Sequence, residues 1–217
     1  MTSGMPKYQS DFYRRDDLDD VLFFIEQHPL AVLIPDGGIG GEFAFLPLIL
    51  DPSIRATPVL FGHLDNHNPF LKHIGAGILH AVFPGPNSYI SPRDYVSKQF
   101  PTWNYAVAQV SGSSASITDD GEKLALMVRM IELLEADNEP GYRLDTSDDT
   151  VRHLLKRITF FRLQIGSVQA RFKFSQDKGD SDRRSAAESL LRKISAKQHR
   201  VLPRLMGIAS TELEEDS

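Results

Sequence analysis

The chain has 217 residues, 41% apolar and 24% charged, with a formal net charge of −5. That balance suits one soluble domain, or one with an appendage, large enough to bury a core without covalent staples. Cysteine is absent, which excludes disulfides, thiolate metal sites, iron–sulfur clusters and thiol nucleophiles, and the negative charge argues against general nucleic-acid affinity.

Along the chain, Asp16 or Asp17 is placed to cap a first helix. Leu18, Val21, Leu22 and Ile25 carry its helical spacing up to His28, and Pro29 ends it. LAVLI (30–34) reads as a buried strand, DGGIGG (36–41) as a glycine-built hairpin turn, and EFAFLPLIL (42–50) as the returning strand. Pro47 within it predicts a sheet edge or a bulge. A third strand is expected at 57–64, a short helix over 66–74 and a fourth strand at 78–83. Residues 105–117 alternate as a long strand, and Asp119 with Glu122 forms a capping-box pattern. The helix behind it should bury Leu124, Met127, Val128, Ile131 and Leu134, with Met127 and Met130 as core filler. A second helix is expected from about 147 through Val151, Leu154 and Leu155. Residues 158–174 read as a strand pair or one strand bent at Gly166. A basic helix should cover roughly 182–197, followed by Pro203 and an acidic tail. Short strands with glycine turns predict an antiparallel barrel or sandwich, and no dinucleotide or P-loop glycine motif is present.

The N-terminus lacks an apolar h-region, and no apolar run approaches the ~18–20 residues a bilayer span needs. The expectation is a cytoplasmic protein without a membrane partner.

Residues 83–105 mix five prolines and glycines with Tyr89, Tyr95, Phe100, Trp103 and Tyr105. Proline stiffness with aromatic faces suits a rigid ligand wall. A loop capping a core remains the alternative. Thr102 and Asn104 add polar edges beside Trp103. GHLDNHN (62–68) can hold phosphate or hydroxyl groups, or simply cap a helix. His63 and His67 have a metal-ligand spacing only if helical, and Pro69 argues against that, so no metal is expected. Lys173, Ser175 and Gln176 in KFSQDK suit a phosphate or a carbonyl-rich ring edge, or form a polar strand exit. No Ser-His-Asp set or catalytic carboxylate pair is present. Arg183 to Arg204 holds seven Lys or Arg against Glu188 alone, a stripe that fits phosphates or a solvated helix face.

In this order HPLAVLI (28–34), FLPL (45–48), GHLDNHNP (62–69), FPGPNSYISPRDY (83–95), PTWNY (101–105) and KFSQDK (173–178) resemble the PaiB-like family of FMN-binding negative transcriptional regulators. The resemblance implies a mainly β, FMN-binding split β-barrel of Greek-key type with peripheral helices, normally a homodimer with flavin at the subunit interface. It implies a split-barrel domain over 5–176, a C-terminal basic helix over 180–205 and a flexible tail over 206–217. It assigns flavin contacts to Phe45, Leu46, Pro47, His63, Leu64, Asn66 and Asn68. Thr102, Trp103 and Asn104 would line the ring, and Lys173, Ser175 and Gln176 would close the site, from this subunit or its partner. The family pattern has histidine where this chain has Phe45 and arginine where it has Asn66, next to Asp65. Loss of a charge-assisted phosphate contact predicts FMN binding weakened roughly ten- to a hundredfold, unless Lys72 or Lys178 compensates.

Three functions follow as expectations. The first is a dimeric flavin protein, with room for FMN-dependent oxidoreductase activity. The second is a regulator touching DNA through the basic helix. The third is a split barrel that has exchanged flavin for another small molecule, haem included, with His63, His67, His73 and His80 as available ligands.

Overall fold

The computed structural model describes residues 13–206 except 16, 38–41 and 52–56, with side chains described up to residue 195. Glycines 38, 40 and 41 of the expected hairpin turn, residues 5–12 of the expected domain, the side chains of Lys197, Arg200 and Arg204, and the acidic tail from 207 lie outside the described residues.

The described elements are β1 (Arg14–Arg15), α1 (Leu18–Gln27), β2 (Leu30–Pro35), β3 (Ala44–Pro47), β4 (Ile49–Leu50) and β5 (Val59–Asp65). Then come β6 (Ile78–Ile90), β7 (Thr102–Ile117), α2 (Asp120–Leu134), α3 (Asp149–Leu155), β8 (Ile158–Lys173) and α4 (Asp180–Met206). The strands form one sheet in the order β3-β2-β6-β7-β8-β5-β4, with β1 added beside β8. The pairings of β2 with β3 and β6, of β5 with β4 and β8, and of β1 with β8 are antiparallel. By contacts the chain divides into a larger unit, 16–84 with 108–169, and a smaller one, 1–15 with 85–107 and 170–217.

In the larger unit α1 begins where Asp17 accepts the Asp20 N–H at 3.0 Å. It buries Val21, Phe24 and Ile25. β2 buries Ala31, Leu33 and Pro35 in strict alternation. Pro47 pairs with Leu30 on β3, the end strand of the sheet, where a missing N–H is tolerated. The returning strand is broken at Leu48, whose N–H donates to the Pro29 carbonyl at 2.9 Å. α2 and α3 cover a core of Ile49, Phe61, Ile117, Leu126, Met130, Leu155 and Phe160. α2 is capped by Asp119, which accepts the Glu122 N–H at 2.7 Å. Its buried side chains are Leu126 and Met130, while Leu134 stays exposed. Of the expected stripe Leu124 and Met127 pack against this core part-buried, and Met130 is core filler as expected, while Leu126 joins the buried set and Leu134 does not. Arg162 on β8 pairs with Glu122 and lies 3.7 Å from Asp51, tying α2 to the sheet.

Four expectations are corrected or narrowed. The fourth strand does not stop at Phe83. β6 continues through Pro84-Gly85-Pro86 to Ile90. β2 pairs with β6 only as far as Val82, so the missing proline N–H groups fall beyond that ladder. Of the two alternatives for 158–174, the single strand is the one found, running unbroken over Ile158–Lys173. The short helix at 66–74 is a 3-10 turn over Pro69–His73. α4 also runs to Met206, past Pro203. In the smaller unit α4 packs Ala186 and Leu190 against Ile90 and Tyr95, with Phe174 and Ile194 at the margin.

β7 and β8 approach closely at Gly112. A Cβ there would stand 1.8 Å from the Gln164 carbonyl oxygen, closer than backbone can yield. Gly112→Ala is expected to cost about 3 kcal/mol or more, from overpacking against backbone. A denaturation midpoint unchanged from wild type would contradict this.

Candidate functional site

The expected site residues fall into two groups, one in each unit. In the larger unit β3 alternates Phe45 outward and Leu46 inward. Phe45 is 62% exposed and meets Phe43 edge-on at 5.5 Å. Leu46 and Leu64 are buried core side chains, so a ligand would reach only their backbone. Gly62 sits against Leu48 and the Pro47 carbonyl, where a Cβ would come within 2.9 Å, so β5 lies tight on the β3–β4 segment. His63 is half-buried, 5.0 Å from the Phe160 ring, and burial pulls its pKa below the ordinary histidine value. Its Nδ1 is buried without a hydrogen-bond partner.

The loop after β5 is engaged in holding itself. Asn66 Nδ2 donates to the Lys156 carbonyl and its Oδ1 accepts from Thr159 Oγ1, both at 2.8 Å. Asn68 accepts the Phe70 N–H at 2.9 Å and caps the 3-10 turn. Asp65 accepts the His67 N–H and pairs with its ring, both at 2.8 Å. Lys72 is 2.6 Å from Glu42, whose other oxygen is 2.5 Å from His73. His80 bonds Ser111 at 2.7 Å. Thus Lys72 is already paired, and of the four histidines only His63 keeps an unpartnered buried nitrogen. Among the described residues no three His, Cys, Asp or Glu converge as a metal set.

In the smaller unit β7 begins at Thr102, three residues before the expected start, so alternation governs PTWNY. Thr102 and Asn104 share one face and Trp103 takes the other. Lys173 Nζ donates to Thr102 Oγ1 at 2.6 Å. Asn104 Nδ2 donates to Ser175 Oγ at 3.1 Å, and Tyr95 OH shares a bond with the same hydroxyl at 2.9 Å. Asn104 and Ser175 are 1% and 2% exposed. This satisfied buried network holds Ser175 at φ 62°, in the left-handed region that costs a non-glycine residue. Gln176 is turned onto its own strand end, accepting the Phe174 N–H at 2.7 Å and donating to the Phe172 carbonyl. Lys173 and Ser175 therefore meet Thr102 and Asn104 of their own chain.

Trp103 is 49% exposed, with the Tyr89 ring 6.5 Å away. Lys193 of α4 fixes that neighbour: its Nζ donates to the Tyr89 carbonyl at 3.0 Å, pairs with Asp94 and lies 5.8 Å from the Tyr89 ring centre. Burial pushes Asp94 up, but Lys193 and the Ser91 N–H bring it below the usual aspartate range.

Sequence reading missed Asp182 because its partners lie some 85 residues away. It is buried in the first turn of α4. Oδ1 accepts the Val96 and Ser97 N–H groups at 2.7 and 2.8 Å. Oδ2 accepts from Ser97 Oγ at 2.5 Å and Gln99 Nε2 at 3.0 Å. One carboxylate thus fixes the loop entering β7. A cleft of about 500 Å³ beside it is lined by Val96, Asp180, Ser181, Arg184, Ser185 and Glu188. No helix among the described residues is long and apolar enough to cross a membrane.

Residues 7–167 match the family model described as "Putative FMN-binding domain". The chain is 31% identical over 153 residues to protease synthase and sporulation protein PAI 2 of Bacillus subtilis, covering 64% of this chain and 72% of that one. The flavocytochrome Anf3 of Azotobacter vinelandii shares the fold with a TM-score of 0.57 at 12% identity, over 80% of this chain and 75% of that chain. The FAD and haem binding protein of Mycobacterium smegmatis does so with a TM-score of 0.56 at 16% identity, over 78% of each chain.

Hydrogen bonds from the Ser97 hydroxyl and N–H hold Asp182 below the ordinary aspartate pKa. A depressed folded-state value means the clamp contributes its full stability above about pH 4 and loses it as pH falls through the folded value. Asp182→Asn should lower the amide protection factors of Val96 and Ser97 near neutral pH, and acidification through the folded pKa should lower those of wild type, each taken relative to the intrinsic exchange rate at that pH. Equal protection in the variant and wild type would refute the clamp.

Proposed function

The chain belongs to this FMN-binding family, a flavin-binding split barrel with FMN as its cofactor, and from that premise we propose that it works as a homodimer presenting the flavin at its subunit interface. The observation that carries the reading is the half-exposed Trp103 beside Tyr89. Trp103 is the chain's single tryptophan, and an aromatic pair left in solvent is a face awaiting a flat ligand or a partner copy. Tyr89 is braced through Lys193, so the wall is ordered before anything binds.

The residues fit the neutral parts of the flavin. His63 is favoured in its neutral form by burial, with Nδ1 enclosed and unpartnered, so a ligand would meet the rest of the ring. Phe45 offers an exposed ring. Leu46, Pro47 and Leu64 would contribute backbone, and Asn66 and Asn68 would contribute only what their internal bonds leave. The proposal keeps Thr102, Trp103, Asn104, Lys173, Ser175 and Gln176 as contacts, each open to its own substitution. Weaker binding of the charged end is part of this proposal, supported by Asn66 where the family pattern has arginine and by the pairing of Lys72 with Glu42. Bound flavin supplies electron-transfer chemistry, while the protein supplies binding, orientation and the local electrostatics. Enzymatic turnover of a substrate would follow from that chemistry.

We read any regulatory role as acting through the bound ligand. Direct DNA contact would use the stripe on α4, yet Arg183 is paired with Asp180 at 2.9 Å and Lys193 with Asp94. A haem reading rests on His63, because His67, His73 and His80 are engaged.

FMN titration should quench Trp103 fluorescence, and the protein should sediment as a dimer. Trp103→Phe, followed by flavin fluorescence, should weaken FMN binding by about tenfold. A monomer whose absorbance and emission ignore FMN would overturn the reading.

A further inference from the structure

We propose that Arg171 and Lys173, at the end of β8, form an anion-binding subsite for a phosphate-type group, walled by Tyr13 and Thr102. All four residues lie in the smaller unit. Arg171 and Lys173 stand two apart on one strand and so share a face. Both reach the same ring: the Arg171 guanidinium carbon is 5.4 Å and Lys173 Nζ 5.6 Å from the Tyr13 centroid. β1 adds Arg14 directly across the ladder from Arg171.

The local carboxylate does not neutralise this pair. Asp177 is held by Lys178 at 2.8 Å and by the Tyr13 hydroxyl. Burial, countered by those two bonds, leaves Asp177 below the usual aspartate range, so it stays charged and committed. Tyr13 is pushed up to about 12, by burial first and then by Asp177, so it remains a neutral donor. Among the described residues neither Arg171 nor Lys173 has an acid within ion-pair distance. Arg171 Nε is buried with no hydrogen-bond partner. Burial lowers Lys173, and repulsion from Arg171 and Lys178 adds to this against the pull of Asp177. Partly desolvated cations with no described carboxylate in ion-pair contact, and only the longer-range pull of Asp177, gain from an arriving anion. The planar guanidinium fork, the ammonium and the Thr102 hydroxyl are the donors a phosphate takes.

The phosphate has two sources, the flavin's own or that of a separate ligand. The inference deepens the flavin reading, on which its two flavin arms rest, while the phosphate arm stands without it. Wild type, Lys173→Gln, Arg171→Gln and the charge-preserving Lys173→Arg would be titrated at low ionic strength with inorganic phosphate, FMN and riboflavin. Wild type should bind phosphate in the millimolar range, and either Gln variant should weaken it about fivefold or more, with Lys173→Arg retaining most of it. If the Gln variants also abolish the preference for FMN over riboflavin, the site holds the flavin phosphate. If that preference survives and phosphate still binds the FMN-loaded protein, the site serves a second ligand. Phosphate binding without flavin binding would sink the flavin reading and leave the subsite standing. No phosphate binding in folded wild type, or binding unchanged in both Gln variants, overturns the subsite.

Discussion

The two-residue repeat of an extended chain sends Thr102 and Asn104 to one face of β7 and Trp103 to the other. Chemistry in the smaller unit sorts itself around that alternation. On one face the polar side chains find partners arriving from the end of β8, Lys173 for Thr102 and Ser175 for Asn104. On the other the indole meets Tyr89 and solvent. A one-residue slip of β7 would exchange the two faces and strand Asn104 in water. The buried Tyr95–Ser175–Asn104 network resists that slip, because leaving any of its polar atoms unpaired costs more than forming the bonds gains.

Around this register the smaller unit is braced by two charges on α4, one in its first turn and one at its middle. Asp182 gathers the loop before β7, and Lys193 ties α4 to Asp94 and to the Tyr89 carbonyl. These bonds join segments nearly a hundred residues apart in sequence. They make the aromatic wall a consequence of α4 packing, so the C-terminal helix acts as scaffold before it acts as a basic surface. The loop after β5 shows the opposite economy. Its asparagines staple β5 to the segment after α3 and cap a turn, leaving His63 as the polar side chain with an unspent atom.

Much of the architecture was legible because local rules decide it. The Asp17 and Asp119 caps, the alternation of β2, and Pro47 at a sheet edge each depend on a few neighbouring residues. The continuation of β6 through Pro84 and Pro86 was not legible. Whether a proline breaks a strand depends on whether a neighbour needs its N–H, and β2 stops pairing at Val82. The buried side of α2 was legible only in part, in Leu124, Met127 and Met130. Its apolar residues nearly encircle the helix, and the sheet and α3 chose Leu126 and Met130. In the candidate site the sequence displays residue types but not whether their polar atoms are already engaged. Asn66 looks like a ligand group in sequence and is a staple in the fold.

By itself the amino-acid sequence determined the strand-rich class, the absence of thiol chemistry and the ordered motifs that mark an FMN-binding chain. These follow from composition, short-range periodicity and fixed spacing, which need no knowledge of distant partners. Only the tertiary structure decided which polar atoms are spent and which remain. That Arg171 and Lys173 share the Tyr13 ring with no carboxylate in ion-pair contact among the described residues, while Lys72 and Lys178 are paired, depends on which strand ends and turns meet. Electrostatic pairing acts across space rather than along the chain, and its strength changes with burial.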